Sequence, residues 1–300
     1  GKGGITDLLL SAREVAPSIL PDLVVMDAKE AAWIGGEIFQ PLGEVPGGLF
    51  PFAATPEFVY LAADVDHLAY NTGILTSPIS SWWDLGESGK GLLVFPSGEM
   101  AATQYLALGG RFRDERGRLS LQEEPLAETL RLWAAGLETG VISPLSRELK
   151  GPEEGWKLYL SGNVAAVVVR SSLFLSSREK LKQTAFAPLP YATPIAWGWV
   201  AGIVSRDPRR KELAWELVRW LLQPERNRKW TLASNLLPVH REAYSGEGDP
   251  YMLFLSRQLE SSQPAPPAVL LRPMEEALWS VVLGKATPEE AARKAAGATY

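Results

Sequence analysis

The chain of 300 residues has no cysteine, which excludes disulfides, thiolate metal sites and a cysteine nucleophile while leaving the compartment open. Histidine is almost as scarce: His67 and His240 are the only two, too few and too far apart to suggest a metal centre or a catalytic triad. No apolar run reaches about 18 residues, so no membrane-spanning helix is expected, and no charged-then-apolar leader begins at Gly1. The chain is therefore read as either cytosolic or stripped of its leader. Like charges do not cluster, and the formal net charge is only -5, so nothing recommends nucleic acid as a partner. Phosphate-loop, GxGxxG and HExxH spacings are missing, so no cofactor or metal is expected. There is no internal repeat.

What is there suits one large globular domain or two smaller ones: 46% of residues are hydrophobic and 22% charged. Eleven tryptophans are many for this length. Most should be core, but aromatic faces also serve carbohydrate sites.

Strand and helix signals alternate. Residues 5 to 16 suit a helix stopped by Pro17, and Leu23 to Met26 a short buried strand; Phe58 to Leu61, Leu92 to Phe95 and Val164 to Val169 read as further strands. Their apolar character and the helices between them predict parallel sheets covered on both faces. Leu126, Leu130, Trp133 and Leu137 make one helix face, with Gly140 as a left-handed terminator. Asp207-Pro208 caps another helix, to be held by Leu213, Leu217, Trp220 and Leu221. Thr287 and Glu290 form a capping box. Trp82, Trp83, Trp133, Trp215, Trp220 and Trp279 fall on such patterns and are read as packing. Gly110 to Gly117 is a polar turn, Ser245 to Pro250 a flexible joint suited to a domain crossing, and Ser261 to Pro267 an extended connector.

The stretch from Leu61 to Leu85 places Asp64 just before Tyr70-Asn71 and a helix entry at Ser81-Trp82-Trp83-Asp84-Leu85. A strand that leaves one domain carrying a carboxylate points to a cleft that grips a polar ligand. Pro21-Asp22 with its strand, Gln40-Pro41-Leu42, Tyr70-Asn71, Ser81 to Leu85, Leu108-Gly109-Gly110, Leu160 to Ala166, Leu236 to Val239 and Gly284 to Ala291 occur in an order that resembles the extracellular solute-binding proteins of ABC importers. The likeness is to the sugar-binding, maltodextrin-binding-like branch and runs over nearly the whole chain.

That resemblance implies an α/β protein with the two-lobed periplasmic-binding-protein-like fold (type II) and a ligand cleft between lobes that close by hinge motion. Residues 1–64 and 201–244 are expected in the first lobe, and 65–200 and 245–300 in the second. The family's usual first strand and helix have no counterpart ahead of Ile5, so the first lobe is expected to lack that strand and to compensate for it. The implied function is capture of a carbohydrate or polyol and delivery to ABC permease subunits, without catalysis, by a monomer. The implied location is extracellular or periplasmic, with a lipid anchor through a removed segment as one arrangement.

Seven residues are candidates for ligand contact. Asp64 stands where sugar-binding relatives carry a hydroxyl-binding acid, with a solvated turn aspartate as the alternative. Asp66 shares its strand face. Asp27 ends the first strand, or simply caps the next helix. Glu99 lies beyond another strand, or compensates a helix dipole. Arg170 and Ser172 follow Val169, where relatives place a stacking tryptophan that is missing here; Met26 likewise replaces such a ring. Arg170 is suited to hydroxyls or an anion, or to a surface ion pair. Trp197 is preferred over Trp199 as a stacking ring, one of the two being expected to face the cleft. The competing functions are a glycosidase using a carboxylate pair from Asp64, Asp66 and Glu99, a ligand-sensing module, and a binding protein for an anion or polyamine.

Overall fold

A computed structural model describes residues 4–76, 79, 81, 83–86 and 91–298. In chain order its helices are α1 (Ile5–Val15), α2 (Ala28–Ile38), α3 (Trp83–Gly86), α4 (Gly98–Ala107), α5 (Glu123–Glu138), α6 (Pro152–Leu160), α7 (Ser171–Ser177), α8 (Pro208–Leu221), α9 (Pro224–Ala233), α10 (Pro250–Ser261), α11 (Ala268–Val282) and α12 (Pro288–Ala296). Its strands are β1 (Leu23–Asp27), β2 (Phe58–Asp64), β3 (Asp66–Asn71), β4 (Ala166–Arg170), β5 (Thr184–Ala187), β6 (Ile195–Ile203) and β7 (Gln263–Pro264). They form two compact units, 1–65 with 195–268, and 66–194 with 269–300. The chain changes unit between Val65 and Asp66, beside the acid singled out in the sequence.

Two boundaries differ from expectation. Segments 195–200 and 245–268, expected in the second lobe, belong to the first unit, because β6 pairs along its length with β1 and β2, and β7 pairs with the start of β6. Ser245 to Pro250 is therefore no crossing; its Asp249 caps α10 by accepting from the Tyr251 amide at 3.0 Å. The connector from Ser261 is partly strand. Its Ala265 amide donates to the Tyr60 hydroxyl at 2.8 Å, and that hydroxyl donates to the Ala196 carbonyl at 3.0 Å. Burial pushes the Tyr60 phenol well above the ordinary tyrosine range, so it serves as a neutral relay between backbone groups.

The sheets also correct the sequence reading. In the first unit the order is β1-β6-β2, and both ladders are antiparallel. In the second, β4-β3-β5 is antiparallel throughout. Parallel pairing among the described residues is confined to β6 with β7 and to Leu92 and Leu93, which bridge to Ile142 and Val167. Alternating strand and helix signals suggested sequential crossovers, but β6 arrives from far along the chain and runs between β1 and β2.

Strand β2 carries a bulge that shapes this unit. Tyr60 pairs with Val200 and Ala62 with Trp199, so Leu61 has no partner in β6. Its buried carbonyl is served by a side chain: Asn227 of α9, fully buried, donates from Nδ2 to Leu61 O at 2.7 Å and accepts the Val239 amide on Oδ1 at 2.8 Å. One amide thus ties the bulge to the segment that bridges Ala63 through Leu237. On β6, Gly198 has φ +137, and a Cβ there would lie 2.2 Å from Ala62 O. Only glycine fits that close approach.

Helix packing follows the local signals in part. On α5, Leu126, Leu130 and Trp133 are fully buried, each stabilising the second unit by roughly 1.5–3 kcal/mol. The helix ends as expected, with Gly140 at φ +75. Asp207 caps α8 through the Arg210 amide, and the Thr287–Glu290 capping box opens α12. The expected core stripe of α8 is wrong, however. Ala214, Trp215, Val218 and Leu222 are buried, whereas Leu213, Leu217 and Trp220 are 57%, 49% and 50% exposed. Trp133 and Trp215 are packing residues, and Trp279 meets Phe95 edge-on at 6.3 Å. Trp82 and the Trp83 side chain lie outside the described residues.

Candidate functional site

Three of the candidate residues converge in the second unit. Asp66 opens β3 and Arg170 closes β4, and the ladder register sets them directly opposite each other. The Arg170 guanidinium forks onto Asp66, with Nε donating to Oδ1 and an Nη to Oδ2, both at 3.2 Å. The same Nη donates to Glu99 Oε2 at 2.6 Å. The side chains of Arg170, Asp66 and Glu99 are 27%, 13% and 21% accessible, so the cluster is sheltered yet reachable.

Glu99 gets there because α4 starts in a constrained place. Ser97 caps the helix, accepting the Met100 amide at 3.1 Å. Gly98 follows, and a Cβ there would sit 2.1 Å from the Leu271 carbonyl, so the first turn of α4 abuts α11 with nothing to spare. The Gly98 amide donates to Glu275 Oε2 at 3.2 Å, fixing that turn from the α11 side. Glu275 was not recognisable from sequence, since nothing local marks a residue 177 positions away as a partner. Ser172 lies half-buried in the first turn of α7, directly after Arg170. His67 is fully buried on β3 with its ring edge on Phe174 at 5.3 Å, a packing position.

The remaining candidates belong to the first unit. Asp64 ends β2 at 6% exposure, opposite Trp197 in the ladder. A buried strand-end acid is not the solvated turn residue of the alternative reading. Asp27 is the N-cap of α2, accepting the Lys29 amide on Oδ1 at 3.0 Å, with Lys29 Nζ 3.8 Å from Oδ2. Its observed work is capping. Trp197 is 3% exposed and Trp199 is 48% exposed. The ring offered to solvent is thus that of Trp199, which pairs in register with Asp27, and not the preferred Trp197. Residues two apart normally share a face; the backbone excursion at Gly198 gives these two different surroundings.

Among the described residues no group of three or more His, Asp or Glu side chains is placed to hold a metal ion. No helix of the described residues is long and apolar enough to cross a membrane.

The two α/β units, connected through three chain crossings, have the two-lobed fold of maltodextrin-type solute-binding proteins. The GacH receptor of Streptomyces glaucescens, solved unliganded and with acarbose, is similar at TM-score 0.76 and 17% identity, over 98% of this chain and 88% of that one. The sugar-binding protein MalE from Xanthomonas citri is similar at TM-score 0.81 and 15% identity, over 97% and 85%. Maltose-bound MalE3 from T. maritima is similar at TM-score 0.75 and 16% identity, over 97% and 86%. A search of the curated proteins returned no match. The family model described as "Bacterial extracellular solute-binding protein" matches residues 42–251, and the chain belongs to that family.

Proposed function

We propose that this chain is the solute-capturing component of an ABC importer, and that it binds a neutral carbohydrate or polyol through the Asp66–Glu99–Arg170 cluster before passing it to the permease. The observation that carries this reading is the shared guanidinium. Arg170 holds two carboxylates in fixed, partly accessible positions at the end of the β3–β4 ladder. Ordered carboxylates suit the hydroxyl donors of a sugar, because little rotamer entropy remains to be lost on binding.

The cluster carries two acids against one cation, which favours hydroxyl donors over an anionic solute. Arg170, once a candidate anion receptor, is already committed to protein carboxylates. Catalysis is not part of the proposal. A glycosidase needs one acid that donates a proton to the leaving oxygen, whereas Asp66 and Glu99 both act here as acceptors from Arg170. The similarity to proteins solved with acarbose and maltose supports a sugar.

Isothermal titration with maltose, maltotetraose, monosaccharides, polyols, sulfate and spermidine tests the reading. A neutral sugar or polyol that binds wild type and loses at least tenfold in affinity with Glu99→Gln is the expected result. Binding of sulfate or spermidine alone, or glycan turnover, would refute it.

A further inference from the structure

Helix α8 has two apolar faces, and packing uses only one. Ala214, Trp215 and Val218, with Leu222 beyond the helix end, hold it in the first unit, while Leu213, Leu217 and Trp220 form a stripe at spacings of four and three on the exposed side. Three large apolar side chains in one exposed row are not needed for the fold and mark an interaction surface.

The charge around this row is biased. Residues 206–229 contain eight Lys or Arg and four Asp or Glu, in a chain that has 30 and 35 overall. Several of those cations are engaged: Arg210 with Asp22, Arg219 with Glu212, Arg228 with Glu247, and Lys211 on the Pro41 carbonyl. Arg206 and Arg209 are exposed at one end of the row, and Lys229 is exposed beyond the other. Arg226 lies over the Trp220 ring at 4.2 Å. None of these four has a carboxylate partner among the described residues. Asp207, Glu216 and Glu225 are the exposed acids nearby without a basic side-chain partner there, and the Lys211 charge is met only by a carbonyl, so a positive surplus remains.

We propose that the exposed row of α8, with Arg206, Arg209, Arg226 and Lys229, is a peripheral docking surface for an anionic lipid bilayer. Leu213, Leu217 and Trp220 enter the boundary between headgroups and acyl chains, and the four cations meet phosphate oxygens. An indole with a guanidinium stacked on it suits that boundary, since the ring is apolar over its body and the cation remains at headgroup level. A second copy is the less fitting occupant. Docking the row on its own twofold mate would bring the same uncommitted cations together.

Vesicle co-sedimentation of the full chain at low salt tests this, using phosphatidylcholine alone and phosphatidylcholine with about 30 mol % phosphatidylglycerol. Wild type should partition at least tenfold more strongly onto the anionic vesicles. Arg206→Ala with Arg209→Ala should weaken that binding about tenfold or more, at roughly fivefold per basic residue near an anionic surface. Leu217→Ser with Trp220→Ser should abolish it while leaving the melting temperature within a few degrees of wild type. Equal partition onto both vesicle types, no partition onto either, or indifference to the arginine pair would overturn the proposal. So would a lipid-free dimer in sedimentation velocity that the Leu217/Trp220 variant dissolves, since the row would then be a protein interface.

Discussion

Replacing Asn227 by leucine should destabilise the first unit far more than any change of similar size on its surface. The side chain is fully buried, and leucine keeps the branched outline of four heavy atoms in a larger volume, so the perturbation removes hydrogen bonds and opens no cavity. Two backbone groups lose their partner: the Leu61 carbonyl at the bulge and the Val239 amide. A buried backbone group left unsatisfied costs about 1–3 kcal/mol, so the expected loss is about 2–6 kcal/mol. Urea unfolding, read alongside hydrogen exchange of the Ala63 and Leu237 amides that bridge the same region, measures it locally. Asn227→Asp supplies an internal control. Its carboxylate still accepts from Val239 but faces the Leu61 carbonyl as an acceptor against an acceptor, so its folded-state pKa is raised. Protonation on folding then narrows the gap to wild type as pH falls through the raised folded value toward the unfolded aspartate value of about 3.9. A leucine variant within about 0.5 kcal/mol of wild type would refute the reasoning.

Other outcomes follow from the same geometry. Arg170→Met leaves Asp66 and Glu99 adjacent without their shared cation; with side chains 13–27% accessible, the expected cost is about 1–3 kcal/mol in thermal melts, with loss of solute binding in titration. Gly98→Ala forces the start of α4 away from the Leu271 carbonyl, costing about 1–3 kcal/mol and displacing Glu99, so sugar affinity should fall together with the melting temperature. Acid should weaken the first unit through Glu247, whose carboxyl is held below the ordinary glutamate range chiefly by the hydrogen bond from Arg228. A depressed folded value means this contribution is full above the unfolded value and disappears as pH falls through the folded one. Glu247→Gln should therefore flatten that part of the acid transition in circular dichroism, and an unchanged pH profile would count against the pairing.

Local signals were legible because local physics sets them. The Asp207 cap, the Thr287–Glu290 box, the Gly140 terminator and the buried face of α5 each depend on residues within a turn or two. The ordered motifs also identify the family and the two-lobed α/β fold, and Asp66, Glu99 and Arg170 each stand out in the sequence as strand-end candidates. Their convergence was not legible, because the ladder register that sets Asp66 opposite Arg170 joins positions 104 apart.

The sequence by itself determined where several helices begin and end and which family the chain resembles. Only the tertiary structure decided the rest. On α8 two apolar stripes compete, and a helical period cannot say which one the sheet covers; packing chose Trp215 and exposed Trp220. Strand direction was set when β6 entered between β1 and β2, an event that local propensity does not encode. The choice between Trp197 and Trp199 accompanied one close approach, where Gly198 lies against the Ala62 carbonyl and the ladder departs from simple alternation.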